Sequence, residues 1–140
     1  MTYSGRCACG AVKARISGTP VATRQCWCRQ CQQAAAGGPT HNAMFATSDV
    51  ALTGTLATHD YTAASGNTLT HSFCPACGTQ VMAQSSARPQ FRTIRLGFLD
   101  EGHGLSPQMA IWTEEAPSWA AIDPALEQFA GQPPAPPPQD

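Results

Sequence analysis

Charge is scarce in this chain of 140 residues, of which Asp, Glu, Lys and Arg make up only 12%. Eight basic residues stand against nine acidic ones, and neither Lys nor Arg forms a run. Proteins that bind nucleic acid need clustered basic side chains, so we expect no nucleic-acid partner. The chain also lacks a stretch of ~20 consecutive apolar residues, the length that crosses a bilayer. We therefore expect no membrane partner and a cytoplasmic location.

Helical patterns are scarce as well. They are limited to residues 29–36, which end before Gly37-Gly38-Pro39, and to residues 117–129. Residues 11–16 and 91–96 alternate apolar or small with charged side chains, which is typical of half-buried strands. Shorter strand candidates, separated by Gly, Asn, Ser and Pro, cover residues 43–47, 59–61, 69–73, 80–83 and 108–112. The sequence predicts a mainly β fold with short helical segments.

A single domain is expected, because a chain of 140 residues can bury a core of its own. We place this domain at residues 1–130. Proline dominates the rest of the chain, so residues 131–140 are predicted to form an extended Pro-rich tail that lies outside the fold.

Cysteine is frequent for a chain of this length. The seven cysteines form three groups, which are Cys7 and Cys9, then Cys26, Cys28 and Cys31, then Cys74 and Cys77. Their odd number and C-x-C spacings argue against a disulfide framework. Thiolates at such short spacings are typical metal ligands, and we expect zinc in a four-sulfur site, with iron as the alternative. Seven thiolates suffice for one closed zinc site of four and a second site of three with a vacant position.

The first and third groups form two short knuckles that each end in glycine. Cys7 and Cys9 precede Gly10, and Cys74 and Cys77 precede Gly78. Two such knuckles can complete a tetrahedron, so we assign their four sulfurs to one structural zinc. A redox role for the C-x-x-C pair is the alternative, but that role expects a βαβ context and a helix after the first cysteine.

The middle group places three sulfurs within six residues, at Cys26, Cys28 and Cys31. Three local ligands leave one position of a zinc ion open, and an open position allows chemistry. The alternative is a closed site of three cysteines and one histidine. The candidates for that fourth ligand are His41, His59, His71 and His103.

The order of these motifs resembles the glutathione-dependent formaldehyde-activating enzyme family. The resemblance covers roughly residues 3–129 and includes three cysteine motifs: G-x-C-x-C-G from Gly5, C-x-C-x-x-C from Cys26, and F-C-x-x-C-G-T from Phe73. G-x-L-D from Gly97 and Ile-Trp at residues 111–112, with a second tryptophan at Trp119, complete the pattern.

This resemblance implies a β-tent fold, in which small antiparallel sheets are stapled by zinc. It further implies two zinc ions per chain, one structural on Cys7, Cys9, Cys74 and Cys77, and one catalytic on Cys26, Cys28 and Cys31. The implied activity is that of a carbon–sulfur lyase similar to S-(hydroxymethyl)glutathione synthase, which joins the thiol of glutathione to formaldehyde. The implied partners are therefore glutathione and a small aldehyde.

Glutathione carries two carboxylates, which arginine commonly binds through paired hydrogen bonds. The arginines that can serve this purpose are Arg24, Arg29, Arg88, Arg92 and Arg95. From general surface preference we expect each of them to be a solvated strand or loop charge.

Two other functions stay open at this point. In one, both zinc ions are structural and the domain is a non-catalytic binding module, which the family's occurrence in a centromere protein allows. In the other, the open zinc site serves another thiol or another small aldehyde.

Overall fold

A computed structural model describes residues 1–135, and residues 136–140 of the predicted tail lie outside the described part. One short helix and eleven strands follow each other in this part: β1 Thr2–Arg6, β2 Lys13–Ser17, β3 Ala22–Cys26, α1 Arg29–Ala34, β4 Thr40–Ala46, β5 Val50–Thr53, β6 Ala57–Thr62, β7 Thr68–Phe73, β8 Gln80–Ser85, β9 Phe91–Arg95, β10 Met109–Ile111 and β11 Glu127–Gln128. Three short 3-10 helices are also present, at Thr47–Asp49, Leu96–Phe98 and Thr113–Glu115. The prediction of a mainly β fold with few short helices is confirmed.

The strands form two sheets. The smaller sheet has the order β1-β2-β5, and the larger one has the order β11-β10-β3-β4-β9-β8-β7-β6. All pairs are antiparallel except those of β10, which runs parallel to both β3 and β11. The antiparallel character expected of the sheets therefore holds except at this edge.

The main core lies between the two sheets. Tyr3 and Ile16 reach it from the smaller sheet, and Phe45, Val81 and Ile94 reach it from the larger one; each of the five is at most 5% exposed. The rings of Tyr3 and Phe45 lie 5.5 Å apart at an angle of 59°. Burial of these side chains is the main favourable contribution to folding.

The larger sheet has a second face that does not carry this core. Side chains alternate between the two faces of a strand, so the neighbours of Ala43 and Phe45 along β4, Asn42 and Met44, point to the opposite side. We call this side the pocket face. Three central strands supply it with Ala22, Arg24, Cys26, Asn42, Met44, Thr93 and Arg95.

The two helical predictions have different outcomes. A helix is present at Arg29–Ala34, within the predicted residues 29–36, and the Cys28 Sγ atom accepts its first-turn hydrogen bond from Cys31 N. The helix predicted at residues 117–129 is wrong. Pro124 interrupts that segment, and a proline inside a helix removes a backbone donor and clashes with the preceding turn. The segment instead forms turns and then pairs β11 with β10.

The segment after β11 returns to the body of the protein. Trp112 N donates to Gly131 O over 3.2 Å, and Trp112 Nε1 donates to Gln132 Oε1 over 3.1 Å. The first residues of the predicted tail thus contact the domain. Within residues 1–135, no helix has the length and apolar character needed to cross a membrane.

Candidate functional site

The two glycine-ended knuckles meet in space. Cys7 and Cys9 follow β1 of the smaller sheet, and Cys74 and Cys77 follow β7 of the larger one. The Sγ atoms of Cys7 and Cys9 lie 3.7 Å apart, those of Cys9 and Cys74 lie 3.8 Å apart, and all four sulfurs lie within 4.8 Å of one another. This four-cysteine cluster connects the two sheets at one point.

The geometry of the four-cysteine cluster fits zinc. Tetrahedral coordination with Zn–S distances near 2.3 Å places neighbouring sulfurs about 3.8 Å apart, and the two distances above match this value. Hydrogen bonds favour the thiolate form of two of these cysteines: Val12 N donates to Cys7 Sγ over 3.2 Å, and hydrogen bonds with Thr79 lower the pKa of Cys77 to about 5. The hydrogen bond with Cys7 acts in the opposite direction on Cys9, whose pKa is raised to about 11. The cluster can therefore hold a metal ion of this kind.

The three middle cysteines also converge. Cys26 ends β3, Cys28 precedes α1, Cys31 lies in the first turn of α1, and their sulfurs lie within 4.8 Å of one another. In the part of the chain that the structure describes, no histidine, aspartate or glutamate joins this three-cysteine cluster. The closed alternative with a histidine as the fourth ligand therefore has no support from the structure.

Two of the candidate histidines have other partners. The Nε2 atom of His41 lies 3.1 Å from Nε2 of Gln25, and Nδ1 of His103 accepts from Leu105 N over 2.9 Å. These contacts give both side chains local hydrogen-bonding partners.

The three thiols cannot all ionise without a cation, because like charges would lie in contact. Hydrogen bonds with Cys28 and Cys31 raise the pKa of Cys26, whereas hydrogen bonds with Cys26 and Cys28 lower the pKa of Cys31. The nearby charge of Arg95 also favours the Cys31 thiolate. A divalent cation would allow all three sulfurs to become thiolates.

A cavity of about 730 Å³ opens directly beside the three-cysteine cluster. All three sulfur-bearing residues line it, together with polar side chains of the pocket face and the start of the segment after β11. The volume lies within the range of small-molecule sites. The open side of the three-cysteine cluster thus faces room for a ligand.

Two arginines that were expected to be solvated lie buried in the wall of this cavity, so that expectation is wrong for them. Arg24 is 7% exposed and Arg95 is 5% exposed. Arg88 lines the same cavity, whereas Arg29 is exposed. Burial, followed by the like charge of Arg88, lowers the pKa of Arg24. The sequence gives one clue to this position, because Arg24 precedes Cys26 by two residues and a strand places such residues on one face.

An aromatic pair also lines the cavity, and it consists of Tyr61, which the sequence did not single out, and His71, which was considered only as a fourth zinc ligand. The rings of Tyr61 and His71 meet edge to face with centroids 5.3 Å apart. Burial and the charge of Arg95 lower the pKa of His71 to about 4, despite an opposing effect of Cys31. Burial raises the pKa of Tyr61. Both side chains are therefore neutral at pH 7 and offer hydrogen bonds without charge.

These features define a class of mainly β protein with two cysteine clusters that could hold metal ions, one of them open to a cavity. The model of the family described as glutathione-dependent formaldehyde-activating enzyme matches residues 2–115, and the chain belongs to this family. No curated protein matches the chain significantly.

A solved structure is also similar. The crystal structure of a Rhodobacter sphaeroides protein, a structural-genomics target, shares 23% sequence identity with this chain. The match covers 74% of this chain and 91% of that chain, with a TM-score of 0.57. At this identity the likeness concerns the fold alone.

Proposed function

We propose that this protein is a carbon–sulfur lyase that joins the thiol of glutathione to formaldehyde at the three-cysteine cluster, giving S-(hydroxymethyl)glutathione. The observation that carries the proposal is the open side of that cluster, which faces a cavity of about 730 Å³. Membership of the glutathione-dependent formaldehyde-activating enzyme family supports the choice of substrates.

Cys26, Cys28 and Cys31 would hold the catalytic zinc. When bound, zinc would lower the pKa of a thiol in its open position, so that thiolate is available near neutral pH. The four-cysteine cluster, formed by Cys7, Cys9, Cys74 and Cys77, would hold a structural zinc.

The bond changes in the proposed reaction are simple. The S–H bond of the thiol breaks and releases its proton, and the sulfur forms a bond to the carbonyl carbon. The C=O double bond becomes a single bond as its electron pair moves to the oxygen, which takes up a proton. No electrons leave or enter, so no redox partner is needed. The proton released by the thiol balances the proton taken up by the oxygen.

The contribution of the chain is mainly to position the two reactants. The buried sulfurs of Cys26 and Cys31 fix one end of the site, and the cavity confines the thiol and the aldehyde next to each other. Bringing two reactants together in the right orientation can supply a large share of a rate enhancement. Three thiolates donate strongly to zinc, so polarisation of the aldehyde is expected to be the smaller effect.

The experiment that tests this proposal measures the rate of exchange between ¹³C-formaldehyde and its glutathione adduct by NMR, with and without the zinc-loaded protein. Cys28→Ser is the informative variant, because its hydroxyl can still accept the hydrogen bond from Cys31 N that begins α1. Gln33→Ala, at an exposed position of the same helix, is the matched control.

We expect the wild type and Gln33→Ala to accelerate the exchange, and Cys28→Ser to lose the acceleration together with one zinc while unfolding like the wild type. Full activity of Cys28→Ser would show that the reaction takes place at another site. A fully zinc-loaded wild type that does not change the exchange rate would contradict the proposed activity.

A further inference from the structure

The two buried arginines of the pocket face lie in one row across three strands. Asn42 of β4 pairs with Arg24 of β3 on one side and with Arg95 of β9 on the other. Residues that pair directly across strands point to the same face of a sheet, and both arginines line the cavity. We call Arg24, Asn42 and Arg95 the arginine row.

The guanidinium groups of the arginine row are buried without full hydrogen bonding. Nη1 of Arg95 donates to Asn42 Oδ1 over 2.7 Å. Among the described residues, Nε of Arg24 and both Nε and Nη2 of Arg95 have no hydrogen-bond partner, although all three atoms are shielded from solvent. Buried charged donors without partners cost free energy. Both arginines line the cavity, so a ligand that accepts hydrogen bonds there would satisfy donors that the fold leaves without partners.

The charges of the site favour an anionic ligand. Three thiolates around a divalent ion carry a net charge of one negative unit, and Glu115 contributes a second one to the cavity wall. Arg24, Arg88 and Arg95 supply three positive charges to the same wall. Among the described residues that line the cavity, positive charge therefore exceeds negative charge, even when the three-cysteine cluster holds its metal.

The spacing suits a small thiol with acidic groups on both sides of its sulfur. Adjacent strands lie about 4.8 Å apart, so the Cα atoms of Arg24 and Arg95 are separated by about 10 Å. Cys26 lies two residues after Arg24 on β3, which is about 7 Å along the strand. One ligand of tripeptide size can therefore reach both guanidinium groups and the three-cysteine cluster.

We infer that Arg24 and Arg95 form an anion-binding site that holds the carboxylates of the thiol substrate while its sulfur reaches the three-cysteine cluster. The inference rests on the proposed function for the thiol, and it adds the residues that select a carboxylate-bearing thiol over a neutral one. Asn42 acts as a positioning residue, since its Oδ1 atom fixes the guanidinium of Arg95.

The test separates the anion-binding site from thiol binding by using two probes on the zinc-loaded protein. γ-Glutamyl-alanyl-glycine keeps both carboxylates of glutathione but has no thiol, and cysteamine has a thiol but no carboxylate. Calorimetric titration measures the affinity for each probe. The variants are Arg24→Gln and Arg95→Gln, and the control is Arg15→Gln, which removes one positive charge at an exposed position of β2.

We expect Arg24→Gln and Arg95→Gln each to weaken binding of the thiol-free tripeptide about tenfold or more, as is typical for loss of a charge-assisted hydrogen bond. Cysteamine binding should stay within about twofold of the wild type, and Arg15→Gln should match the wild type with both probes. The diethyl ester of the tripeptide should bind the wild type at least tenfold more weakly than the acid.

The possible results are distinguishable. Unchanged tripeptide affinity in both arginine variants would overturn the anion-binding site and leave the proposed lyase activity standing. Loss of tripeptide binding in the variants, with no cysteamine binding by the wild type, would support the anion-binding site and contradict the thiol chemistry. If a variant does not fold, the ester comparison on the wild type decides, and equal affinity for ester and acid would overturn the inference.

Discussion

Exchange of Cys77 for serine tests the four-cysteine cluster as a metal site, because the Cys77 side chain is exposed. An exposed side chain without a special role can be changed at a cost within about 0.5 kcal/mol. A packing contribution is therefore small at this position. A large loss of stability in Cys77→Ser would have to come from the lost ligand.

The expected loss follows from the length of chain that the four-cysteine cluster closes. Cys9 and Cys74 are 65 residues apart in the chain. The unfolded chain can therefore bind a zinc ion with both knuckles only after it has brought these two residues together. Closing a loop of this length costs about 3.7 kcal/mol by the 1.5RT ln n relation. The folded protein presents all four sulfurs already assembled. Zinc should therefore favour the folded state by about 4 kcal/mol or more, and much of this should be lost in Cys77→Ser.

Urea unfolding followed by circular dichroism measures the effect. Ala76→Ser, at the exposed neighbouring position of the same turn, is the control and should unfold like the wild type. Treatment with a strong chelator should lower the wild-type midpoint towards that of Cys77→Ser and change the variant little further. A Cys77→Ser protein with the wild-type midpoint in zinc-containing buffer would refute the reasoning.

Three further predictions concern metal content, backbone conformation and pH. Elemental analysis should find two zinc ions per chain, falling to one after dialysis against a mild chelator, since only the three-cysteine cluster has an open side; retention of both ions would indicate a second closed site. Gly54→Ala should lower the free energy of unfolding by about 2 kcal/mol or more in urea titrations. The reason is that Gly54 has a φ of +100° and that a Cβ atom there would lie 2.2 Å from Ala11 O. A variant as stable as the wild type would contradict this prediction. His71, with its pKa lowered to about 4, should remain neutral in NMR titrations until the pH falls well below its ordinary value of 6.5. The unfolded chain binds the His71 proton more readily than the folded chain. The contribution of His71 to stability is therefore present above pH 6.5 and is lost as the pH falls towards 4. An NMR titration midpoint near 6.5 would show instead that the ring is solvated.

The cysteine clusters could be predicted from the sequence because their ligands are local. Each knuckle lies within a few residues, and the partner of the first knuckle follows from the count of four sulfurs that a closed site needs. Strands β2 and β9 were predictable for the same kind of reason, since the alternation at Lys13–Ser17 and Phe91–Arg95 is visible in the sequence.

Strand β3 shows why part of the site could not be predicted. Its five residues, Ala22–Cys26, include Thr, Arg and Gln, yet four of the five are buried. A strand shows alternating apolar and polar residues only when one of its faces is exposed to water. In β3 one face packs against the rest of the protein and the other lines the cavity. The burial of Arg24 was missed because such a polar strand does not stand out in the sequence.

The arginine row depends on pairing between distant segments. Arg24 and Arg95 are brought together only because β4 pairs with β3 on one side and with β9 on the other. The sequence contains no local signal for that strand order. The failed helix at residues 117–129 differs, because Pro124 is a local signal against a helix that the sequence already contains. The end of that segment pairs with β10 instead, where the Phe129 backbone N–H donates to Ala110 O.

The two faces of the larger sheet have consequences for how such a protein can diverge. Along β4 and β9, residues that hold the fold together, such as Phe45 and Ile94, alternate with residues that line the cavity, such as Asn42 and Arg95. Substitutions on the cavity side can therefore accumulate with little disturbance of the packed interior. A descendant can acquire a cavity of different chemistry by changing one row of side chains, whereas insertion of a single residue in either strand would exchange the two sides and destroy both.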